Sequence, residues 1–214
     1  MTMTRMRGTK TMGTLKTIRI VLWTLVGVAA LGAGYLWYST SVAPQQGVAV
    51  AEAGRFGAGD YQLVSDAGET VGDEVFAGRP SLVFFGFTHC PDVCPTTLAD
   101  MQHWFTELGP DAEDLQAFFV TVDPERDTPE ILGQYVGWAG DKVTGLTGEP
   151  AEIEKAMDAW SVFAERVPLE GDDYTMNHTA SVFLVDADGE FFGTIAYGES
   201  ADTAVGKLRR LVAG

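Results

Sequence analysis

Ser81-Leu82-Val83-Phe84-Phe85-Gly86-Phe87-Thr88-His89-Cys90-Pro91-Asp92-Val93-Cys94-Pro95 runs from an uninterrupted apolar stretch into a turn that holds both cysteines of the chain. A continuous apolar run of this kind predicts a strand buried on both faces. Pro95 suits a first helical turn, and Leu98, Met101, Phe105 and Leu108 then recur at helical spacing until Gly109-Pro110 stops the helix. The two thiols therefore lie on a strand-to-helix turn. There they bind a soft metal, or they cycle between dithiol and disulfide. A purely structural bridge is the weaker reading. Joining Cys90 to Cys94 closes a five-residue loop, worth about 2 kcal/mol in the chain-entropy model against about 4.7 for a 100-residue loop.

With a helix starting near Pro95, Cys94 lies at its N-terminal end, where unpaired N–H groups and the positive end of the dipole favour a thiolate. Pro91 and Pro95 stiffen the loop. A firm metal site needs a third group, and the chain has three histidines. His89 adjoins Cys90, so its side chain is expected to point away. His103 lies within the helix beside Trp104 and reads as a packed or surface residue. His178 precedes a strand, after the polar stretch Glu170 to Asn177. A lone histidine before a strand is more often ordinary than a ligand. The Met and Trp residues read as core, with Met176 the one Met near His178 in sequence.

Working outward, Tyr61 to Val64 and Val71 to Phe76 flank Asp66-Ala67-Gly68 and predict a short hairpin. Leu115 to Val122 predicts a second buried strand closed by Asp123-Pro124, and Thr128-Pro129-Glu130 a capped helix reaching about Trp138. Pro150 to about Val167 reads as a third helix, Ser181 to Val185 and Phe191 to Tyr197 as a hairpin, and Ala201 to Val212 as a closing helix. The predicted order after the first hairpin is β-α-β-α-α-β-β-α. It implies a mixed sheet with helices on both faces, and a cysteine turn after the first buried strand suits a thioredoxin-like α/β fold. Asp123, Glu125, Arg126 and Asp127 read as a turn with local ion pairs.

The N-terminal end has a different character. Arg5, Arg7, Lys10, Lys16 and Arg19 precede an uncharged apolar stretch from Ile20 to Tyr38. Its 19 residues would span roughly 28 Å as a helix, close to a hydrocarbon core. The expectation is a basic leader at 1–19 on the cytoplasmic side, a single membrane anchor at 20–38, a tether at 39–59 rich in Ala, Gly, Ser and Gln, and a domain at 60–214 outside the cytoplasm. A cleaved signal peptide is the competing reading, with Ala49-Val50-Ala51 as its small-residue site. Beyond the leader the chain carries nine basic against thirty acidic residues, which argues against nucleic acid and anionic lipid as partners.

Three motifs resemble one family. Phe84 to Pro95, FFGFTHCPDVCP, resembles the signature of the Sco/SenC copper chaperones. Thr121 to Pro129, TVDPERDTP, resembles that family's second motif, and Asn177-His178-Thr179 falls where the family usually carries Asp-His-Ser or Asp-His-Thr. The likeness covers about residues 55 to 214, and an N-terminal anchor belongs to the same pattern. The departure is Asn177, which lacks the usual negative charge beside the metal. The resemblance implies a thioredoxin-like domain that binds one copper ion through Cys90, Cys94 and His178. It implies a metallochaperone, not an enzyme with turnover, facing the periplasm from the bacterial inner membrane. The implied acceptor is the dinuclear (CuA) centre of cytochrome c oxidase subunit II, with a periplasmic copper donor or thiol reductant as a further partner.

The rival function is thiol–disulfide oxidoreductase, with Cys90 and Cys94 as the redox pair. Against it stand the Cys-x-x-x-Cys spacing, the absence of any Pro between Leu169 and Gly214 where thioredoxins place a cis-proline, and His178, which simple disulfide exchange does not need.

Overall fold

In a computed structural model of the chain, the described residues are Ile18, Trp23 and 55–214. The expected anchor at 20–38 lies outside them, Trp23 apart. Among the described residues no helix is long and apolar enough to cross a membrane.

Strands β1 (Leu63–Ser65) and β2 (Thr70–Val71) form the expected hairpin, although Asp73–Phe76 is a 3-10 turn instead of strand. The cysteine-bearing unit follows: β3 (Ser81–Gly86), α1 (Val93–Leu108) and β4 (Gln116–Thr121). Every residue of β3 is buried. Next come α2 (Pro129–Gly137), β5 (Val143–Thr147) and α3 (Pro150–Ala159). Among the described residues, the strands β6 (Ala164–Pro168) and β7 (Tyr174–His178) pair only with each other. The chain closes with β8 (Val182–Val185), β9 (Phe191–Ile195) and α4 (Ala201–Val212).

The seven-stranded sheet has the order β2-β1-β5-β4-β3-β8-β9. β3, β4 and β5 are parallel, whereas β1 and β8 join them antiparallel and β9 extends β8. Ring contacts show two apolar layers. On one side Phe84 meets Phe119 at 5.9 Å, and Phe119 meets Tyr135 of α2 at 5.4 Å. On the other, Phe85 meets Trp160, at the end of α3, at 5.9 Å. The architecture is the predicted thioredoxin-like mixed sheet with helices on both faces.

Three local expectations fail, each for a packing reason. β5 is absent from the predicted order because Gly145 and two threonines dilute its apolar signal. A Cβ at Gly145 would stand 2.9 Å from Leu132 Cβ, so the glycine lets α2 lie close on the sheet. The third helix ends at Ala159, not near Val167, because Ser161 takes a left-handed conformation (φ 52°) and Val162 N–H closes back on the Met157 carbonyl. Val162 and Phe163 continue the apolar pattern past that stop. Where the pattern predicts the end of a helix and a polar loop, the chain forms the ribbon β6–β7, whose exposed face carries few apolar residues. His178 accordingly ends a strand instead of preceding one.

Arg55 to Gly59, assigned by composition to the tether, pack on the domain. Phe56 lies 5.5 Å from Trp160 and 4.8 Å from Phe191, and Arg55 pairs with Asp73. Trp160 is fully buried among Phe56, Phe76, Phe85 and Phe183, and its Nε1–H donates to Tyr61 Oη at 3.2 Å. Gly57 has φ 79°, and a Cβ there would overlap the Trp160 ring. Trp160→Ala is expected to cost roughly 3–5 kcal/mol, read as a lower urea midpoint with an unchanged slope.

Candidate metal centre

β3 delivers the chain to the site and Gly86 is its last residue. A Cβ on Gly86 would stand 2.9 Å from Cys94 Sγ and 2.8 Å from the Phe119 ring. The missing side chain is the space that the sulfur fills. The helix starts at Val93, two residues before the predicted Pro95, so Cys94 lies inside its first turn and is fully buried. Cys90 sits one loop earlier, half-buried. The unpaired N–H of Cys94 donates to Cys90 Sγ at 3.4 Å. The helix start therefore favours charge on Cys90, not on Cys94 as the sequence suggested.

The pair shares a proton unequally. The Cys90 pKa is held well below the ordinary thiol range, first by the hydrogen bond from the Cys94 thiol and further by His178 and the backbone N–H groups of Cys94 and Asp92. The Cys94 pKa is pushed up, first because its proton is engaged with Cys90, then by burial. Both cysteines are free.

β7 brings the third group. His178 Nε2 lies 3.6 Å from Cys94 Sγ. His178 Nδ1 lies 2.9 Å from the Thr179 carbonyl, which accepts its proton and leaves the Nε2 lone pair facing the sulfurs. The rings of Phe87 and Phe84 bracket the imidazole at 5.6 and 6.1 Å. The ligand atoms of Cys90, Cys94 and His178 all lie within 4.8 Å of one another. A cleft of about 220 Å³, lined by Phe87, Cys90, Pro91, Met176 and His178 among others, opens beside them.

The remaining candidates separate cleanly. His89 is exposed and its Nδ1 meets Thr88 Oγ1 at 3.1 Å, away from the sulfurs. His103 is exposed on α1. Asn177 is exposed, one residue from His178 and hence on the opposite face of the strand.

The second motif is more than a local turn. The buried Asp127 carboxylate accepts from Thr88 N–H at 3.0 Å and from the hydroxyls of Thr88 and Thr121 at 2.6 Å each, which ties the cysteine loop to β4. Burial is the largest influence on its pKa and raises it, against the lowering effect of those hydrogen bonds. Asp123, Glu125 and Arg126 hold the ribbon instead. Tyr174 Oη donates to Asp123 at 2.8 Å, and Arg126 pairs with Asp123 and donates to the Tyr174 carbonyl at 2.9 Å. The guanidinium groups of Arg126 and Arg166 lie 3.7 and 4.0 Å from the Tyr174 ring centroid, and Arg166 pairs with Glu125 at 2.6 Å. One turn thus positions the cysteine loop with one carboxylate and the histidine arm with another. Sequence reasoning missed Gly86, Thr88, Tyr174 and Arg166. The glycine before the cysteine loop was the one local signal available.

Two soft sulfurs and one imidazole fit a copper ion. The protein carries that donor set on a cradle a Cβ would fill. The comparisons with known proteins agree. The SCO1/SenC family model matches residues 50–213. A SCO2-like protein of Rickettsia felis is 37% identical over 179 residues, covering 81% of this chain and 86% of the relative. The structure of Bradyrhizobium japonicum ScoI with copper bound superposes with a TM-score of 0.66 at 41% identity, over 72% of this chain and 98% of that one. BsSco, a member of the Sco family of cytochrome c oxidase assembly proteins in which a disulfide switch was identified, gives 0.57 at 26% identity, over 71% and 91%.

Two outcomes are expected of the free protein. Iodoacetamide near neutral pH should label Cys90 first, because it holds the thiolate and is half-exposed, and Cys94 slowly; peptide mass mapping reads the order. Arg126→Ala should free the ribbon and weaken metal affinity by roughly 10–100-fold, measured by chelator competition, while leaving the labelling order intact.

Proposed function

The chain belongs to the SCO1/SenC family, and we propose that it is a copper metallochaperone, anchored by residues 20–38 in a bacterial inner membrane with its domain in the periplasm. Cys90, Cys94 and His178 hold one copper ion, and the ion is delivered to the dinuclear CuA centre of cytochrome c oxidase subunit II. The observation that carries this reading is the convergence of two sulfurs and one imidazole from elements 84 residues apart. Three such donors, with no fourth Cys, His or acidic ligand in the group among the described residues, suit a soft ion in transit better than a closed four-coordinate zinc site. Copper-bound ScoI and the assembly role of the Sco family support it from the side of relatives.

The residues act in order. Copper displaces the proton that Cys90 and Cys94 share, so loading releases that proton. His178 presents Nε2 because Thr179 holds the other nitrogen. The cleft leaves one side of the ion open to an acceptor's donor atoms, which replace the three ligands stepwise.

A second reading has its own observation, the hydrogen-bonded thiolate–thiol pair. As a disulfide reductase, the Cys90 thiolate attacks an acceptor disulfide and releases one acceptor thiolate. Cys94 then loses its proton and resolves the mixed disulfide. Two electrons pass to the acceptor, and Cys90–Cys94 becomes the disulfide. The disulfide switch identified in BsSco lends this weight.

Metal analysis of the reduced full chain should give one copper per protein. Cys→Ser at Cys90 or Cys94 should abolish tight binding, and His178→Ala should weaken it strongly. In a deletion strain, oxidase activity should fall and excess copper should restore part of it. Rescue by a thiol reductant alone, with full complementation by His178→Ala, overturns the chaperone reading in favour of the reductase.

A further inference from the structure

Resting on the copper reading above, we infer that the Met176 thioether is a fourth, weak copper ligand, entering from the open side of the cleft. Alternate residues of a strand share a face, so Tyr174, Met176 and His178 share one face of β7. Both flanking members of that trio point inward. Tyr174 Oη reaches Asp123 at 2.8 Å, and His178 Nε2 stands 3.6 Å from Cys94 Sγ. Met176 is directed the same way. It is half-buried and lines the cleft of about 220 Å³ together with Cys90 and His178. Met176 also lines a neighbouring cavity of about 190 Å³ with Met157, Asp123 and Ile153, so the residue borders both spaces.

Reach and chemistry agree. Residues two apart on a strand are separated by about 6.7 Å, and a methionine has three rotatable bonds and a polarizable sulfur. A side chain of that length and flexibility spans the distance to an ion held by His178. Two cysteine sulfurs already supply the charge a cuprous ion needs. A thioether adds a soft donor without adding charge, and a long thioether contact beside Cys and His ligands tunes the potential of a copper ion. It is also the ligand an acceptor displaces most easily. Cys94 is fully buried and the His178 ring is tied through Nδ1, whereas Met176 is half-buried at the cleft wall.

Methionine also serves as simple apolar filling, and the test separates the two roles. The full-length chain is produced with selenomethionine, loaded with one equivalent of Cu(I), and examined by X-ray absorption at the copper edge. A copper–selenium scattering shell is expected. It should vanish in Met176→Leu, a near-isosteric change, and persist in Met157→Leu. Release of Cu(I) to a competing chelator should be several-fold faster from Met176→Leu. Absence of the selenium shell, with one copper still bound and lost on Cys90→Ser, overturns the inference and leaves the copper reading standing. Persistence of the shell in Met176→Leu overturns it too. Undiminished copper binding by Cys90→Ser overturns both.

Discussion

The buried carboxylate of Asp127 is the point on which the site's geometry depends. It sits in the turn between β4 and α2 and accepts hydrogen bonds from the cysteine loop through Thr88 and from β4 through Thr121. Its own backbone carbonyl accepts from Thr147 Oγ1 of β5 at 2.8 Å, so three parallel strands' ends are joined at one residue. A carboxylate buried in this way is costly unless its oxygens are satisfied. Three donors satisfy it here, and the arrangement tolerates little displacement. Four residues earlier, Asp123 repeats the device on the other side of the turn, with Tyr174 and Arg126 as its partners.

This division of labour explains how a site can be both firm and open. Gly86, Cys94 and the start of α1 belong to the densely packed sheet layer, where a single added methyl group would collide with sulfur and ring. His178 belongs to a two-stranded ribbon outside the main sheet. The ribbon's inward face is held by polar and cation–π contacts around Tyr174 instead of by a deep core. The thiol pair is therefore rigidly set, and the imidazole is set by contacts that individually contribute little.

Much of this was legible in the chain itself. The run from Ser81 to Pro95 announces strand, turn and helix in order, because a strand buried on both faces has no polar alternation to blur it. The Thr128-Pro129 cap and the final amphipathic helix at Ala201–Val212 were equally plain. The misreadings fall where tertiary packing overrules local pattern. β5 needs Gly145 for the approach of Leu132, and that glycine erases its strand signature. Ser161 ends α3 in a left-handed conformation that serine seldom adopts, directly after the buried Trp160. At the site, the two cysteines and the histidine were readable as residue types in motif context. Which sulfur carries the charge was not, because it depends on which thiol donates to the other in the folded loop and on how deeply each is buried.

The raised pKa of Asp127 has a thermodynamic corollary. Burial makes the native state hold a proton on this carboxyl more tightly than the unfolded chain does. By linkage, its contribution to folding is complete below the unfolded pKa of about 3.9 and is lost as pH rises through the higher native value. The thiols run the other way, since a metal ion must compete with protons for them and gains as pH rises. At this one carboxyl, therefore, protons favour the native fold, while at the thiols of the neighbouring cysteine loop they oppose the cargo. The hinge of the site and its metal ligands answer to proton concentration with opposite sign.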